Sequence, residues 1–155
     1  MTTLTVTGCR IVETAEELAA HRRIRHQVFV VEQKLFPGTD RDAHDDDPAT
    51  VCCLGFDEGT PVGAVRLYPC DPGGEHWQGD RLAVLTGHRG ASLGGPLVRL
   101  AVATARSRGG RVMTAHVQLP NVRFFERLGW HRDGPEEIYV GVAHQPMAIS
   151  LGGRS

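Results

Sequence analysis

Three groups of residues in this 155-residue sequence could do chemistry. The first lies at 82–96, where the apolar run Leu82, Ala83, Val84 and Leu85 enters a basic, glycine-rich turn, His88, Arg89, Gly90, Ala91, Ser92, Leu93, Gly94 and Gly95, that ends at Pro96. A strand-to-helix turn of this kind aims successive backbone N–H groups at one point. The helix N-terminus behind it adds partial positive charge, so a phosphate is held without a dedicated side chain. Glycines let a bulky anion approach the backbone. The Gly-Lys-Ser/Thr of a nucleotide-binding loop is absent and the glycine spacing is not that of the dinucleotide fingerprint. The second group is His116 and Gln118, which period-two alternation puts on one sheet face, either lining a cleft or sitting as polar groups of the core. The third is the acidic run Asp40, Asp42, Asp45, Asp46 and Asp47, whose plain reading is a solvated loop.

The surrounding pattern supplies the elements that must hold these groups. Alternation over 4–12 predicts a first strand, and Thr14-Ala15-Glu16-Glu17 is a capping box opening a helix that runs to Val28 or beyond. Residues 36–48 are too polar and proline-bounded to be regular. Residues 50–56 and 61–68 flank Asp57-Glu58-Gly59-Thr60 as a hairpin, and 79–85 forms the strand entering the turn. In the next helix Pro96 occupies the first turn, Leu97, Leu100, Ala101 and Ala105 share one side, and Gly109-Gly110 ends it. A strand at 111–118 follows. Pro120 then opens a short helix with Val122, Phe125 and Leu128 on one face, and 138–151 is the last strand. This order predicts an α/β (α+β) fold with a mixed sheet, and one domain over 1–155.

Composition narrows the function classes. With 41% hydrophobic and 23% charged residues, the chain suits one domain with a proper core. A formal net charge of -1 argues against a general nucleic-acid binder. No apolar run approaches the roughly 20 residues of a membrane span. Met1-Thr2-Thr3-Leu4 has neither a basic head nor an apolar core, so a cytoplasmic protein is expected. Cys52 and Cys53 are adjacent while Cys9 and Cys70 stand apart, which matches neither a zinc spacing nor a disulfide framework, and the thiols are read as reduced. His44 and His144 lack metal-site spacing, so no metal is expected.

Two motifs carry a family resemblance. Arg89-Gly90-Ala91-Ser92-Leu93-Gly94 resembles the acetyl-CoA pyrophosphate loop of the GNAT acetyltransferase superfamily, Gln/Arg-x-x-Gly-x-Gly/Ala, with Ser92 replacing the first patterned glycine. Phe124-Phe125-Glu126-Arg127-Leu128-Gly129-Trp130, placed after Asn121, resembles the superfamily's Phe-Tyr-Glu-x-Leu-Gly-Phe stretch. Arg25-His26-Gln27-Val28-Phe29-Val30-Val31-Glu32-Gln33 is similar to a stretch of the ElaA-like branch, which carries an Asp-rich segment downstream that Asp40 and Asp42 match. The ending at 139–149 is similar to a bacterial subgroup associated with nitrogen-starvation loci.

The resemblance implies a GNAT-like, mostly antiparallel sheet of about six to seven strands, flanked by helices and splayed between strands four and five. It implies acetyl-CoA as co-substrate, held by Leu82, Ala83, Val84, Arg89, Gly90, Ala91, Ser92, Leu93, Gly94, Gly95, Asn121 and Phe125. A bulge near Leu82 to Val84 would leave an N–H that polarises the acetyl carbonyl. The implied reaction is N-acetyl transfer to the primary amine of a small molecule by direct attack. Many members place a proton-donating tyrosine where this chain has Phe125, which cannot donate. Glu32 is the first candidate proton acceptor, with His116 and Gln118 as alternatives and Asp80 and Arg81 third. In such a fold the segment before the second strand overhangs the acceptor, so Asp40, Asp42, Arg66 and Arg81 are expected to line the acceptor site, the carboxylates favouring a cationic amine. A bacterial enzyme is implied, and a homodimer, the common state of the superfamily, is expected. Two other readings stay open. Arg25, Phe29, Asp40, Asp42 and Arg66 echo the polar set of acyl-homoserine-lactone synthases, and Phe125 would also suit a CoA-binding regulatory domain without turnover.

Overall fold

The computed structural model describes residues 5–6, 8–88 and 93–152. After two short strands, β1 (Thr5–Val6) and β2 (Cys9–Ile11), helix α1 (Ala15–Arg25) begins at Thr14, whose Oγ1 accepts the Glu17 N–H at 3.1 Å. The helix does not stop at Arg25 but widens into a π-helical turn over His26–Glu32, burying Val28 and Phe29. The β-branched residues Val28, Val30 and Val31 favour a regular α-helix less than straight-chain residues do, and π-turns tend to occur where a helix borders a site.

Strands β3 (Val51–Asp57), β4 (Thr60–Pro69) and β5 (His76–Val84) form an antiparallel meander. Then come α2 (Gly94–Ser107), β6 (Val112–Gln118), a 3-10 turn (Leu119–Asn121), α3 (Val122–Arg127), β7 (His131–Arg132), β8 (Glu137–Tyr139) and β9 (Val142–Ser150). The described residues give a sheet of nine strands ordered β1-β2-β3-β4-β5-β6-β9-β7, with β8 also on β9. Helix α1 covers one face through Ile24, against Leu54, Ala64 and Ala83. Helix α2 covers the other through Leu97, Leu100 and Ala101, against Cys53, Val65, Leu67 and Met113.

Two irregularities position the site. The one parallel pairing among the described strands, β5 with β6, runs only through His76, Trp77 and Gln78 against Val112, Met113 and Thr114. Past Gln78 the two strands part. On the other edge of β5, Ala64 pairs Ala83 while Arg66 pairs Asp80, so Val65 alone faces both Arg81 and Leu82. This is a β-bulge, and Arg81 accommodates it at φ 55°.

Three expectations change in detail. The strand over 4–12 folds back on itself at Gly8 (φ 77°) as β1 and β2. The strand over 138–151 is interrupted at Val140 (φ 45°) and Gly141 (φ 78°), giving the hairpin β8–β9. Both extra strands take the sheet past the six or seven expected. The acidic loop holds a 3-10 turn over Ala43–Asp46, capped reciprocally by Asp42 and Asp45.

Candidate active site

Two cavities meet where β5 and β6 separate, and Gln33, Leu82, Gln118 and Asn121 border both. The larger, about 890 Å³, runs along Leu82, Ala83 and Val84 to the start of α2. Among the described residues no side chain caps α2 there, so its first N–H groups find no side-chain acceptor among them. A Cβ at Gly94 would come within 3.3 Å of the Phe124 ring, and one at Gly95 within 3.3 Å of Arg99 Nη1, so the glycines keep this end of the cleft open. Arg99 and Arg127 lie on its lining with Glu32 as the one carboxylate. An N-terminal helix end, glycines and two guanidiniums suit a long anionic ligand such as CoA. The expected contacts Arg89, Gly90, Ala91 and Ser92 fall outside the described residues, whereas Leu93 packs in the core at 6% exposure.

The smaller cavity, about 330 Å³, passes through the sheet at the splay. On the α1 face it meets Phe29, Phe36, Tyr68, Gln78, His116 and Tyr139. On the α2 face it meets Val98, Ala101, Met113, Ala115, Phe125 and Trp130. The alternation read from sequence holds along β6, with Met113, Ala115 and Val117 buried against α2 and His116 turned the other way. His116 Nδ1 stands 3.5 Å from Glu137 Oε1, and its ring stacks on Tyr139 with centroids 5.0 Å apart. Gln118 Nε2 donates to Gln33 Oε1 at 3.0 Å, which ties β6 to the π-turn. Tyr68 stacks on His44 at 3.6 Å, and burial raises its hydroxyl well above the ordinary phenol range. Tyr68 and Tyr139 were absent from the sequence candidates and His144 was weighed only as a metal ligand, because strand alternation flags faces but not which distant strands converge.

Asp40, Asp42 and Asp45 of the acidic run form an ion network with three arginines. Asp40 is 3% exposed and accepts from Arg25 Nε at 2.8 Å and Arg81 Nε at 3.0 Å. Asp42 accepts from Arg66 at 2.8 and 3.0 Å, and Asp45 binds Arg25 through both oxygens at 2.7 and 2.9 Å. Asp80 accepts from Arg66 at 2.8 and 2.7 Å. Burial alone would raise the Asp42 and Asp45 carboxyls, but the arginines outweigh it and hold both below the usual carboxylate range. Asp40 and Asp42 do not line the smaller cavity. Of the expected acceptor residues only Arg81 does, and it is engaged with Asp40 and lies over the Phe36 ring at 4.4 Å. Arg66 is fully buried inside this network.

Glu32 accepts from Thr86 Oγ1 at 2.8 Å and borders the larger cleft, whereas His116 and Tyr139 border the smaller cavity. Gln118 and Asn121 stand at the junction, and Phe125 packs edge-on to Trp130 with centroids 5.3 Å apart. Burial pushes the Cys9 thiol up to about 11 and the Cys53 thiol higher, so neither offers a thiolate. Among the described residues no group of three or more His, Cys, Asp or Glu could hold a metal ion, and no helix is long and apolar enough to cross a membrane.

The family model for the acetyltransferase (GNAT) family matches residues 18–130. Among solved structures, Escherichia coli ElaA superposes with a TM-score of 0.80 at 23% identity, covering 91% of this chain and 97% of that one. An acyl-CoA N-acyltransferase from Pseudomonas aeruginosa gives 0.77 at 24%, covering 91% and 96%. The CoA-dependent acyl-homoserine lactone synthase BjaI gives 0.72 at 20%, covering 88% and 76%. At such identities the structures speak for the fold alone.

Proposed function

This chain belongs to the acetyltransferase (GNAT) family, and we propose that it transfers an acyl group from acyl-CoA directly to the primary amine of a small molecule, with His116 as proton acceptor. One observation carries the proposal: the glycine-opened cleft and the through-sheet cavity meet at the Arg81–Leu82 bulge. Acyl-CoA supplies the activated acyl carbon. The chain supplies placement, an oxyanion donor and a destination for one proton.

A bulge leaves one residue outside the ladder, and this one borders both cavities, so a backbone N–H there can meet the acyl oxygen. The amine nitrogen forms the new C–N bond, the C–S bond breaks, and the surplus N–H proton passes to the imidazole of His116. Glu137 and Tyr139 fix that ring. His116 is partly exposed, so the proton can leave to solvent. Tyr68 keeps its proton at neutral pH and stands on the same lining to assist the leaving thiolate.

Asp80 is the only carboxylate among the described residues lining the smaller cavity, and Arg66 holds both its oxygens. We therefore assign an acceptor with an apolar or aromatic body bearing one amine, so that the acidic run is not what selects the cationic amine. The reading takes the enzyme as bacterial and cytoplasmic, with a homodimer to be checked by light scattering. His116→Ala should lower kcat about 10²- to 10⁴-fold on an amine panel while leaving CoA affinity unchanged. Retention of kcat would remove His116 from its role. CoA binding without turnover on any amine would favour a regulatory domain, the reading that phenylalanine rather than tyrosine at position 125 supports.

A further inference from the structure

The acceptor side of the smaller cavity holds a hydrogen-bond donor that the transfer chemistry does not use. We propose that Gln78 is a specificity-determining residue whose amide NH₂ donates to a neutral carbonyl oxygen on the acceptor, so that the substrate class is an amine whose apolar or aromatic body carries an amide or keto group. This rests on the acyltransferase reading above.

Gln78 lies opposite Tyr68 on β4 and Thr114 on β6, in the last paired row before β5 and β6 part, and its half-buried side chain borders the smaller cavity. Its Oε1 is 2.6 Å from Thr114 Oγ1. That separation is ordinary for O–H···O and short for N–H···O, so the threonine hydroxyl donates and the amide oxygen accepts. A hydroxyl has one hydrogen, which leaves Thr114 Oγ1 to accept from His76 Nε2 at 2.7 Å. The chain from His76 through Thr114 thus turns the Gln78 oxygen toward β6 and leaves its NH₂ as the group on offer. Gln78 Nε2 donates to no protein atom among the described residues, and unlike Trp130 Nε1 it is not sealed from solvent. A donor already pinned in place gives up little rotamer freedom when a ligand arrives.

The neighbours of Gln78 decide the charge of its ligand. Asp80 stands two residues further along the same face with both oxygens on Arg66, and Arg81 is engaged with Asp40. A carboxylate on the acceptor would meet Asp80 with these cations already committed, whereas a carbonyl needs only a donor. His116 lies two residues beyond Thr114 on β6, so an amine at His116 and an oxygen at Gln78 stand about 6–7 Å apart along the strands. A benzene ring carrying the two groups in meta relation supplies that spacing.

The test is calorimetric titration of the full-length chain, saturated with CoA, with 3-(aminomethyl)benzamide and with 3-isopropylbenzylamine, which share a shape and have similar amine basicity. The amide should bind at least about fivefold more tightly, the size of one neutral hydrogen bond. Gln78→Leu should bring the ratio of affinities to about one, and Gln78→Glu should bring it below one, since Thr114 still donates to the carboxylate while its other oxygen repels the carbonyl. Thr114→Val should lower the ratio part of the way with CoA affinity unchanged, because the amide is no longer pinned; a merely structural tie between β5 and β6 would weaken both amines alike. Equal affinity for the two amines in wild type, a ratio that survives Gln78→Leu, or failure of both to bind overturns the assignment, and acetylation of other amines then leaves the acyltransferase reading standing. Preferential binding of the amide with no acetylation of any amine keeps Gln78 in its role and removes the transfer reading.

Discussion

Asp40→Asn separates the structural ion network from a solvated acidic loop. Asp40 joins the loop before β3 to Arg25 on α1 and Arg81 in the β5 bulge, at 2.8 and 3.0 Å, with side-chain exposure of 3%. Both guanidiniums donate to the same oxygen, Oδ2, so an asparagine oxygen there could still accept from each, but the negative charge that offsets two buried cations is gone and an NH₂ stands in place of the other carboxylate oxygen. Removing one partner of a buried pair costs about 3–5 kcal/mol, and each charge-assisted bond is worth about 1.5–3 kcal/mol. Arg25 retains Asp45, and Arg81 retains Asp42 at 3.3 Å and Asp80 at 3.6 Å, so the expected loss lies nearer the lower figures. A loss of about 2–4 kcal/mol corresponds to a fall in Tm of roughly 5–15 °C for a chain of this size. Asp46→Asn is the control, because its side chain is 80% exposed and stands 3.8 Å from Arg41; it should stay within about 0.5 kcal/mol. Urea unfolding of the three proteins measures the difference. Since Arg81 shapes the bulge, kcat should fall in Asp40→Asn more than CoA affinity does. Equal stability of Asp40→Asn and Asp46→Asn would refute the network as a structural tie.

Two further outcomes follow from buried groups and from the cleft. Burial lowers the His21 imidazole to about 4, against a hydrogen bond with the Val65 carbonyl that opposes the shift. The unfolded chain therefore binds this proton first, and stability should decline as pH falls from about 6.5 to about 4, by roughly 3 kcal/mol in all. Asp42 and Asp45, held below their ordinary values, add a further loss only below about pH 4. Urea midpoints across pH 7 to 4 in wild type and His21→Gln check this, and an equal slope in both would assign the decline elsewhere. Gly94→Leu should weaken CoA binding at least tenfold by calorimetry with little change in Tm, because the added side chain fills the space between the start of α2 and Phe124. Unchanged affinity would remove this end of the cleft from the binding site.

Much of the scaffold was legible because local chemistry and fold agree there. The Thr14 cap, the Asp57–Thr60 turn, Pro96 in the first turn of α2 and the alternation of Met113, Ala115 and Val117 against His116 are all short-range signals. What stayed hidden is non-local or depends on a single backbone angle. Gly8 alone marks the reversal within 4–12, too small a signal beside the alternation around it, and Val140 at positive φ runs against its own preference. The acidic run looked solvated because its partners Arg25, Arg66 and Arg81 are supplied by α1, β4 and β5, as many as 41 residues away. Glu32 ranked first among the proton acceptors on a local resemblance, yet the π-turn carries it to the larger cleft, and the through-sheet cavity exists only once both faces of the splay are assembled.

The pairing of the acidic run also bears on the protonation state of the acceptor. Only an unprotonated amine can attack, and free carboxylates around it would hold the ammonium form by raising its pKa. In the smaller cavity Asp80 is committed to Arg66, and the remaining lining on the acceptor side is aromatic, amide or aliphatic, apart from Cys70, His116, His144 and Arg81. Partial desolvation among such groups disfavours the charged form, so the bound amine's pKa should lie below its solution value of about 10. The prediction is a kcat–pH profile that reaches its plateau below the pKa of the free amine, measured on a series of amines of graded basicity. Neutralising the loop in an Asp46→Asn, Asp47→Asn variant should leave that midpoint in place, since neither residue lines the cavity. A midpoint at or above the amine's own pKa, moving down when these loop charges are removed, would show that the acidic segment acts on the acceptor after all.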